Sequence, residues 1–531
     1  MVIDISQVNH KMMKKNFLKY MLLTVVVMGS GCNKFEEINT NPNETIEVNS
    51  SMLASGMILN ITRSDISSTK GFMQPFLLGK YITWGEGQEG FQYNRLGRSD
   101  FNRITLLRNI PPMEAYATSE GLKKSYQALG HFIRAWQFFM TTMQVGDIPY
   151  ADAVKGESSN VLQPKYDTQK AVFLGILNEL DQANQLFSEG LNFEGDPIYA
   201  GKTDNWRRLT NSFQLHVLIN LYKKTADADL KVVERFKDIV ANRPLMRDYK
   251  DNFALAYNNT AGQNYPWSDV PAGSGNSFVK SNYTMLSNTL LGPLKAANDR
   301  RLFYYAKPSP VKITAGVPQS DYNAYPGVEP SDAFSALQTR RVGKDYADLN
   351  NRYVQLVNAE PVSVFSYWDQ QFILAEAAVR GWITGIPAQT YYAAGIINSM
   401  NFVAAYTPDL ADYHHNMKMD AAYINAFPGT APVALAGTNE QQIEQIITQK
   451  YLANFLQGVK YGSWFENRRT GYPVFTLNTS TNLNTPSSKL PLRWLYPSNE
   501  LSYNSVNMDA AVKSQYGGSD DTNQTMWILR N

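Results

Sequence analysis

Cysteine is almost absent from this chain. One occurs in 531 residues, Cys32, so no internal disulfide can form and no cysteine nucleophile exists elsewhere. Charge is scarce as well. Asp, Glu, Lys and Arg make up 18% of the residues and leave a net charge of +2, below the roughly 25% charged content of ordinary soluble domains. No basic stripe attracts nucleic acid. The five histidines lack ligand spacing. His131 and His216 fall within helical patterns, and the adjacent His414 and His415 diverge on any regular element.

Catalytic motifs are missing too. There is no H-E-x-x-H and no G-x-S-x-G. Gly85-Glu86-Gly87-Gln88-Glu89-Gly90 has the glycine spacing of a dinucleotide loop. No helix start follows it, and Glu86 and Glu89 would repel a phosphate. Gly201-Lys202-Thr203 fails as a P-loop, because Gly195 sits one place too far back and Pro197 interrupts. Glu86 with Glu89 is the only carboxylate pair beside an aromatic loop, a poor basis for a glycosidase. Asp520-Asp521 after Gly517-Gly518 offers oxygen ligands to calcium, without EF-hand spacing. The expectation is a chain with no catalytic residue, no cofactor and no metal, that acidic pair being the single opening for calcium.

What is present is aromatic and helical. The chain has 31 Tyr and 9 Trp. A surface poor in charge and rich in Tyr, Trp, Asn and Thr suits neutral polar ligands such as sugars, although most individual rings are expected to be core. From Leu122 to Met143, apolar residues fall at Leu122, Tyr126, Leu129, Ile133, Trp136, Met140 and Met143, the stripe of an amphipathic helix. Gly146 and Pro149 stop it. Similar patterns predict helices over 51–61, 72–83, 102–116, 206–225, 229–241, 365–382 and 388–402. Thr168 caps one carrying Val172, Ile176, Leu180, Ala183 and Phe187. Thr438 and Gln441 form a capping box for 440–456. Residues 251–283, 307–362 and the last fifty read as loops and short pieces. No repeat of about 34 residues is visible. The pattern predicts one large, mainly α unit over 51–531, with helix pairs and long irregular loops.

The N-terminus carries a signal. Lys14 and Lys15 precede a mostly apolar run from Phe17 to Met28, then Gly29-Ser30-Gly31-Cys32. A basic start, an apolar run of about a dozen residues and a small-residue cleavage site make a secretory signal, too short for the roughly 20 residues of a membrane span. Ending at Gly-Cys is the arrangement of a bacterial lipoprotein, so residues 1–31 are read as a signal peptide starting at Met13. Cys32 becomes the lipidated N-terminus, although Gly29 stands where Leu or Val is usual. Residues 32–50 read as a tether.

Several stretches jointly resemble the SusD/RagB family of Bacteroidetes nutrient-binding outer-membrane lipoproteins, in its SusD-like branch. They are Cys32 with Asn39-Thr40-Asn41-Pro42-Asn43; Val145-Gly146-Asp147-Ile148-Pro149-Tyr150; Asp196 to Trp206 with Asn211-Ser212; and Tyr367-Trp368 with Leu374-Ala375-Glu376-Ala377-Ala378 and Arg380-Gly381-Trp382. Gln449-Lys450-Tyr451 with Trp464 to Pro473, and Pro491 to Pro497 with Glu500, Asn504 and Trp527, complete the set. Glu36 and Glu37 resemble the acidic surface-export signal of such lipoproteins. The resemblance implies a SusD-like fold with tetratricopeptide-like helix pairs. It further implies a SusC-like TonB-dependent barrel as partner, and capture of a nutrient oligomer, a glycan or alternatively a peptide, with no bond breaking.

Within those stretches a buried carboxylate with an Arg fork would pin helix to helix, so Glu376 is expected to pair with Arg468 or Arg469. The ligand site must be argued physically. A sugar platform needs exposed rings beside amides, and the loops 81–94 and 257–267 offer Trp84, Tyr93, Asn94, Tyr265 and Trp267. Two other classes compete: a lipid-anchored surface glycosidase or peptidase, and an adhesive surface protein.

Overall fold

The computed structural model describes residues 48–63, 70–269 and 283–531. The signal segment, Cys32 and the tether as far as residue 47 lie outside them. Helices dominate: α1 (Ser50–Thr62), α2 (Glu120–Val145), α3 (Gln169–Glu189), α4 (Thr203–Asn220), α5 (Tyr367–Val379), α6 (Ala388–Ala405), α7 (Asn439–Ala453) and α8 (Gly462–Thr470) carry the architecture. α2 packs along α3 and α3 along α4; α5 packs along α6 and α7. These are tetratricopeptide-like pairs, and Ser50–Asn531 form one compact unit.

Local chemistry sets these elements. The Ser119 hydroxyl accepts a hydrogen bond from the Leu122 N–H and opens α2, with Glu120 in the first turn complementing the dipole. Tyr126, Leu129, Ile133, Trp136, Met140 and Met143 are all buried, and Trp136 stacks on Phe213 at 4.5 Å. Gly146 ends the helix at φ +96°, and a Cβ there would collide with the side chains of Gln515 and Tyr516. Thr168 caps α3, and Thr438 with Gln441 forms the capping box of α7. A second box, Ser366 with Asp369, starts α5; the sequence reading missed it.

Three expectations are corrected. Residues 72–83 are not one helix: Gln74–Leu78 is helical, Gly79 and the left-handed Lys80 (φ +58°) turn the chain, and Ile82–Trp84 is a strand. Residues 102–116 break into Asn102–Thr105, a 3-10 turn and Ile110–Ala115, the last opening on Pro111 and Pro112, which have no N–H for a preceding turn. The last fifty residues include the helices Ser498–Tyr503 and Ser505–Tyr516.

Strands are short and come as antiparallel pairs: β1 (Ile82–Trp84), β2 (Phe253–Leu255), β3 (Thr284–Leu286), β4 (Ala306–Lys307), β5 (Asp348–Leu349) and β6 (Val362–Phe365), paired β1–β3, β2–β6 and β4–β5. The β1–β3 ladder draws Trp84 inward, and the hydrogen bond from the Tyr265 N–H to the Val357 carbonyl ties the second loop to the chain after the short helix Asn351–Gln355. Trp84 and Tyr265 are 0% exposed, Tyr93 1%, Trp267 2% and Asn94 7%. The exposed platform expected of these five residues is therefore not what the described residues form. In β1 the alternating period-2 burial is absent because both faces of the short strand are covered.

Five charged side chains are gathered between α5, α7, α8 and the residue that follows α5. Arg469 forks onto Glu376, Nη1 to Oε1 at 2.6 Å and Nη2 to Oε2 at 2.7 Å, and its Nε donates to Glu466 at 2.9 Å. Lys450 Nζ reaches Glu466 at 2.7 Å and Arg380 Nε reaches Glu376 at 2.8 Å. Burial alone would raise the Glu376 carboxyl, but Arg469 and then Arg380 more than reverse this and hold it below the ordinary value. Arg468, the other candidate, turns away. It donates to the carbonyls of Leu492 and Met143 and lies over the Trp464 ring at 4.6 Å.

Removing Arg469 strands two buried carboxylates. Arg469→Met should cost about 3–5 kcal/mol, and clearly more than Arg468→Met; denaturant melts giving the reverse order would refute this assignment. Trp84→Ala should cost about 3–5 kcal/mol through the cavity it leaves. A Trp84→Ala melting temperature equal to wild type would show that the ring does not pack as described.

Candidate functional site

A cleft of about 490 Å³ opens between the end of α1, the stretch 71–76, the short helix Asn102–Thr105, β6 and the connection from Asn454 to Ser463. That volume lies within the roughly 300–1,000 Å³ of small-molecule sites. Its wall after α7 is set by polar side chains with no freedom left. Asn454 accepts from Trp368 Nε1 and donates to Asp369 Oδ1, both at 2.8 Å. Gln457 accepts from the Ser363 N–H and donates to Glu360 Oε1, both at 2.6 Å. Two non-glycine residues in this connection, Leu456 (φ +58°) and Tyr461 (φ +63°), hold left-handed backbone. Such conformations cost of order 1–3 kcal/mol each and concentrate at functional sites.

The cleft brings together rings, amides and cations. Phe76, half-buried, stands beside Tyr81 and Tyr461. Tyr81 is fixed by stacking on Tyr451 at 4.1 Å, Tyr461 by Phe91 at 6.1 Å and Trp494 at 5.0 Å. Asn60 and Asn102 are exposed at the edge. Arg63, Arg103 and Lys460 line it with Asp100. Arg103 Nη1 donates to Gln137 Oε1 at 3.3 Å, and Gln137 Nε2 in turn donates to Asn60 Oδ1 at 3.3 Å. The arrangement offers ring edges and fixed donors to a hydroxyl-rich ligand. It provides no nucleophile held by a base.

The residues expected at the ligand site lie behind this cleft or away from it. Trp267 packs 5.0 Å from Phe72 and 5.8 Å from Phe76, two rings of the lining. Trp84 donates from Nε1 to Glu86 at 3.2 Å, while its backbone N–H donates to Gln92. Tyr93 donates to the Asp332 carbonyl at 2.9 Å within a separate small cluster with Met285, Val328, Leu337 and Tyr346. Asn94 accepts from Lys80 Nζ at 2.7 Å and donates to Asn482. Tyr265 stacks near Tyr353 at 6.1 Å. Arg103, Phe76 and Tyr461 were missed, because no sequence pattern links positions some 360 apart.

No group of three or more His, Cys, Asp or Glu able to hold an ion occurs among the described residues. The Asp520 carboxylate, the calcium candidate, is engaged by Arg493 at 2.8 Å and Arg98 at 3.2 Å, and Asp521 Oδ1 accepts from the Asn523 N–H. His414 turns to Asp409 and His415 to the Ala306 carbonyl. Among the described residues no helix is long and apolar enough to cross a membrane.

Comparison with known proteins places this architecture. A family model described as starch-binding, associating with the outer membrane, matches residues 42–497. The chain is similar to the crystal structure of a SusD homologue from Bacteroides fragilis at 42% identity and TM-score 0.86, covering 91% of this chain and 100% of the other. A second SusD homologue from the same organism is 31% identical at TM-score 0.78, with the same coverage. A chitin-binding SusD homologue from Flavobacterium johnsoniae shares the fold at 22% identity and TM-score 0.67, covering 91% and 99%. No curated protein matches the chain. With the family model spanning most of its length and relatives of 31–42% identity aligned over 91% of it, the chain belongs to the SusD-like family, a family of binding proteins rather than enzymes.

Proposed function

We propose that this chain captures an oligosaccharide nutrient at the outer membrane and passes it to a SusC-like TonB-dependent barrel. The cleft between α1, the Asn102–Thr105 helix and the Asn454–Ser463 connection is the seat of the ligand, and a lipid on Cys32 is the anchor. The observation that carries this reading is the family description, starch-binding and associating with the outer membrane, over residues 42–497. The cleft supports it chemically. Rings supply apolar faces for sugar C–H groups, and amides and guanidinium groups meet hydroxyls. Binding without bond breaking needs no acid–base pair at the reacting distance, and among the described residues the cleft lining holds a single carboxylate, Asp100.

The anchor reading follows from Gly31-Cys32 behind an apolar run. A diacylated cysteine supplies the two chains that stable membrane attachment requires. The glycan reading is preferred to peptide because hydroxyls are well served by rings beside neutral amides such as Asn60 and Asn102.

Uptake in cells tests this directly. A strain lacking this protein should fail to import a labelled oligosaccharide from a panel on which the parent grows. The wild-type gene should restore import, and Cys32→Ser should not, its product leaving the membrane fraction. Undiminished import without the protein, or a Cys32→Ser form that stays with the outer membrane and functions, would overturn the reading.

A further inference from the structure

Arg103, only partly buried on the cleft wall, differs from the arginines of the core. Arg301, Arg352 and Arg469 are buried, and each lies 2.6 Å from a carboxylate, that of Asp299, Glu360 and Glu376 respectively. Arg468 lacks an acid but is met by two backbone carbonyls and the faces of Trp464 and Phe465. Arg103 has one hydrogen bond, to the neutral amide of Gln137 at 3.3 Å. At the cleft edge, the exposed Arg63 donates to the backbone carbonyl of Gly262 at 2.8 Å. Among the described lining residues the only carboxylate is Asp100. Asp100 Oδ1 accepts from the Asn102 N–H, and its charge acts on Arg103 without a hydrogen bond between the two.

A guanidinium partly drawn from water with no acid in hydrogen-bond contact carries a desolvation cost. Burial accordingly holds Arg103 below its ordinary value, and Asp100 and Tyr461 offset only part of that. Where this fold uses a buried arginine to tie elements together, it supplies acids or carbonyls. At Arg103 it supplies one neutral amide, and the side chain lines the cleft. We infer that the cleft takes an anionic oligosaccharide, one carrying carboxylate or sulfate groups, with Arg103 as the planar two-pronged partner of the anion and Arg63 as the outer guide. The inference rests on the glycan-capture reading given above and names the class of glycan. An oxyanion accepts two parallel N–H donors from an arginine, which a lone hydroxyl cannot do. The neighbouring rings and amides then meet the neutral part of each sugar, so charge and stacking act on the same chain.

Calorimetry on the purified mature protein separates these claims. The probes are a uronic-acid oligosaccharide, a sulfated glycosaminoglycan fragment, maltoheptaose, chitohexaose and an acidic peptide, each at about 50 mM and about 300 mM salt. One of the two acidic glycans should bind at least about tenfold more tightly than either neutral one, and should weaken by about that factor at the higher salt, where charge pairing is screened. Which acidic glycan binds decides between carboxylate and sulfate. Arg103→Gln should abolish this preference at an unchanged melting temperature, and Arg103→Lys should retain part of it. Arg63→Gln, a change at an exposed residue, should weaken the acidic glycan alone. Neutral glycans binding as tightly as acidic ones, unaffected by Arg103→Gln, would overturn the inference while leaving glycan capture standing. The acidic peptide binding in place of any glycan, or no probe binding at all, would sink both.

Discussion

The fork of Arg469 on Glu376 is the contact on which the rest of the architecture leans. It ties α8 to α5, and through Glu466 and Lys450 it ties both to the end of α7. The connection that walls the cleft runs between Lys450 and Glu466, so both of its ends are fixed by the same buried charges. Such a network is poor evidence of extra stability, since apolar residues of like volume can replace buried pairs without loss. What it provides is register. The Glu376 carboxylate, buried on α5, reaches the Arg469 fork in one register only, and a shifted α8 would leave charges unpaired.

The cleft inherits that rigidity. Asn454 and Gln457 spend their amides on Trp368, Asp369, Glu360 and the Ser363 N–H. Leu456 and Tyr461 keep left-handed backbone within the same wall. Strain of that kind persists where the surroundings over-determine it. Here the helix ends, the amide contacts and the charge network together do so. A preorganised wall lowers the ordering cost of binding, which matters for a flexible oligomer that must itself be immobilised.

Much of the scaffold was legible in the sequence, and the reasons are local. The Ser119 cap, the stripe from Tyr126 to Met143, the Thr168 cap and the Thr438–Gln441 box each act within a few residues, so spacing alone reveals them. Glu376 and Arg469 were legible as residue types that demand partners, though spacing did not distinguish Arg469 from Arg468. Where the reading failed, distant pairing had won. Residues 72–83 carry helical spacing, yet Ile82–Trp84 joins Thr284–Leu286, about two hundred positions away. That ladder also buries Trp84, which composition and loop context had suggested as exposed. The cleft itself was not legible, since Asn60, Arg103 and Tyr461 meet only after the whole unit has folded.

The central claim is that ligand binds where these distant segments converge. Hydrogen–deuterium exchange with and without a bound oligosaccharide tests it most directly. The account predicts slowed exchange in residues 60–63, 71–76, 100–103 and 454–463, with α2 and α3 unchanged. Protection that spares all four segments and appears elsewhere, for instance along the exposed face of α7, would contradict it.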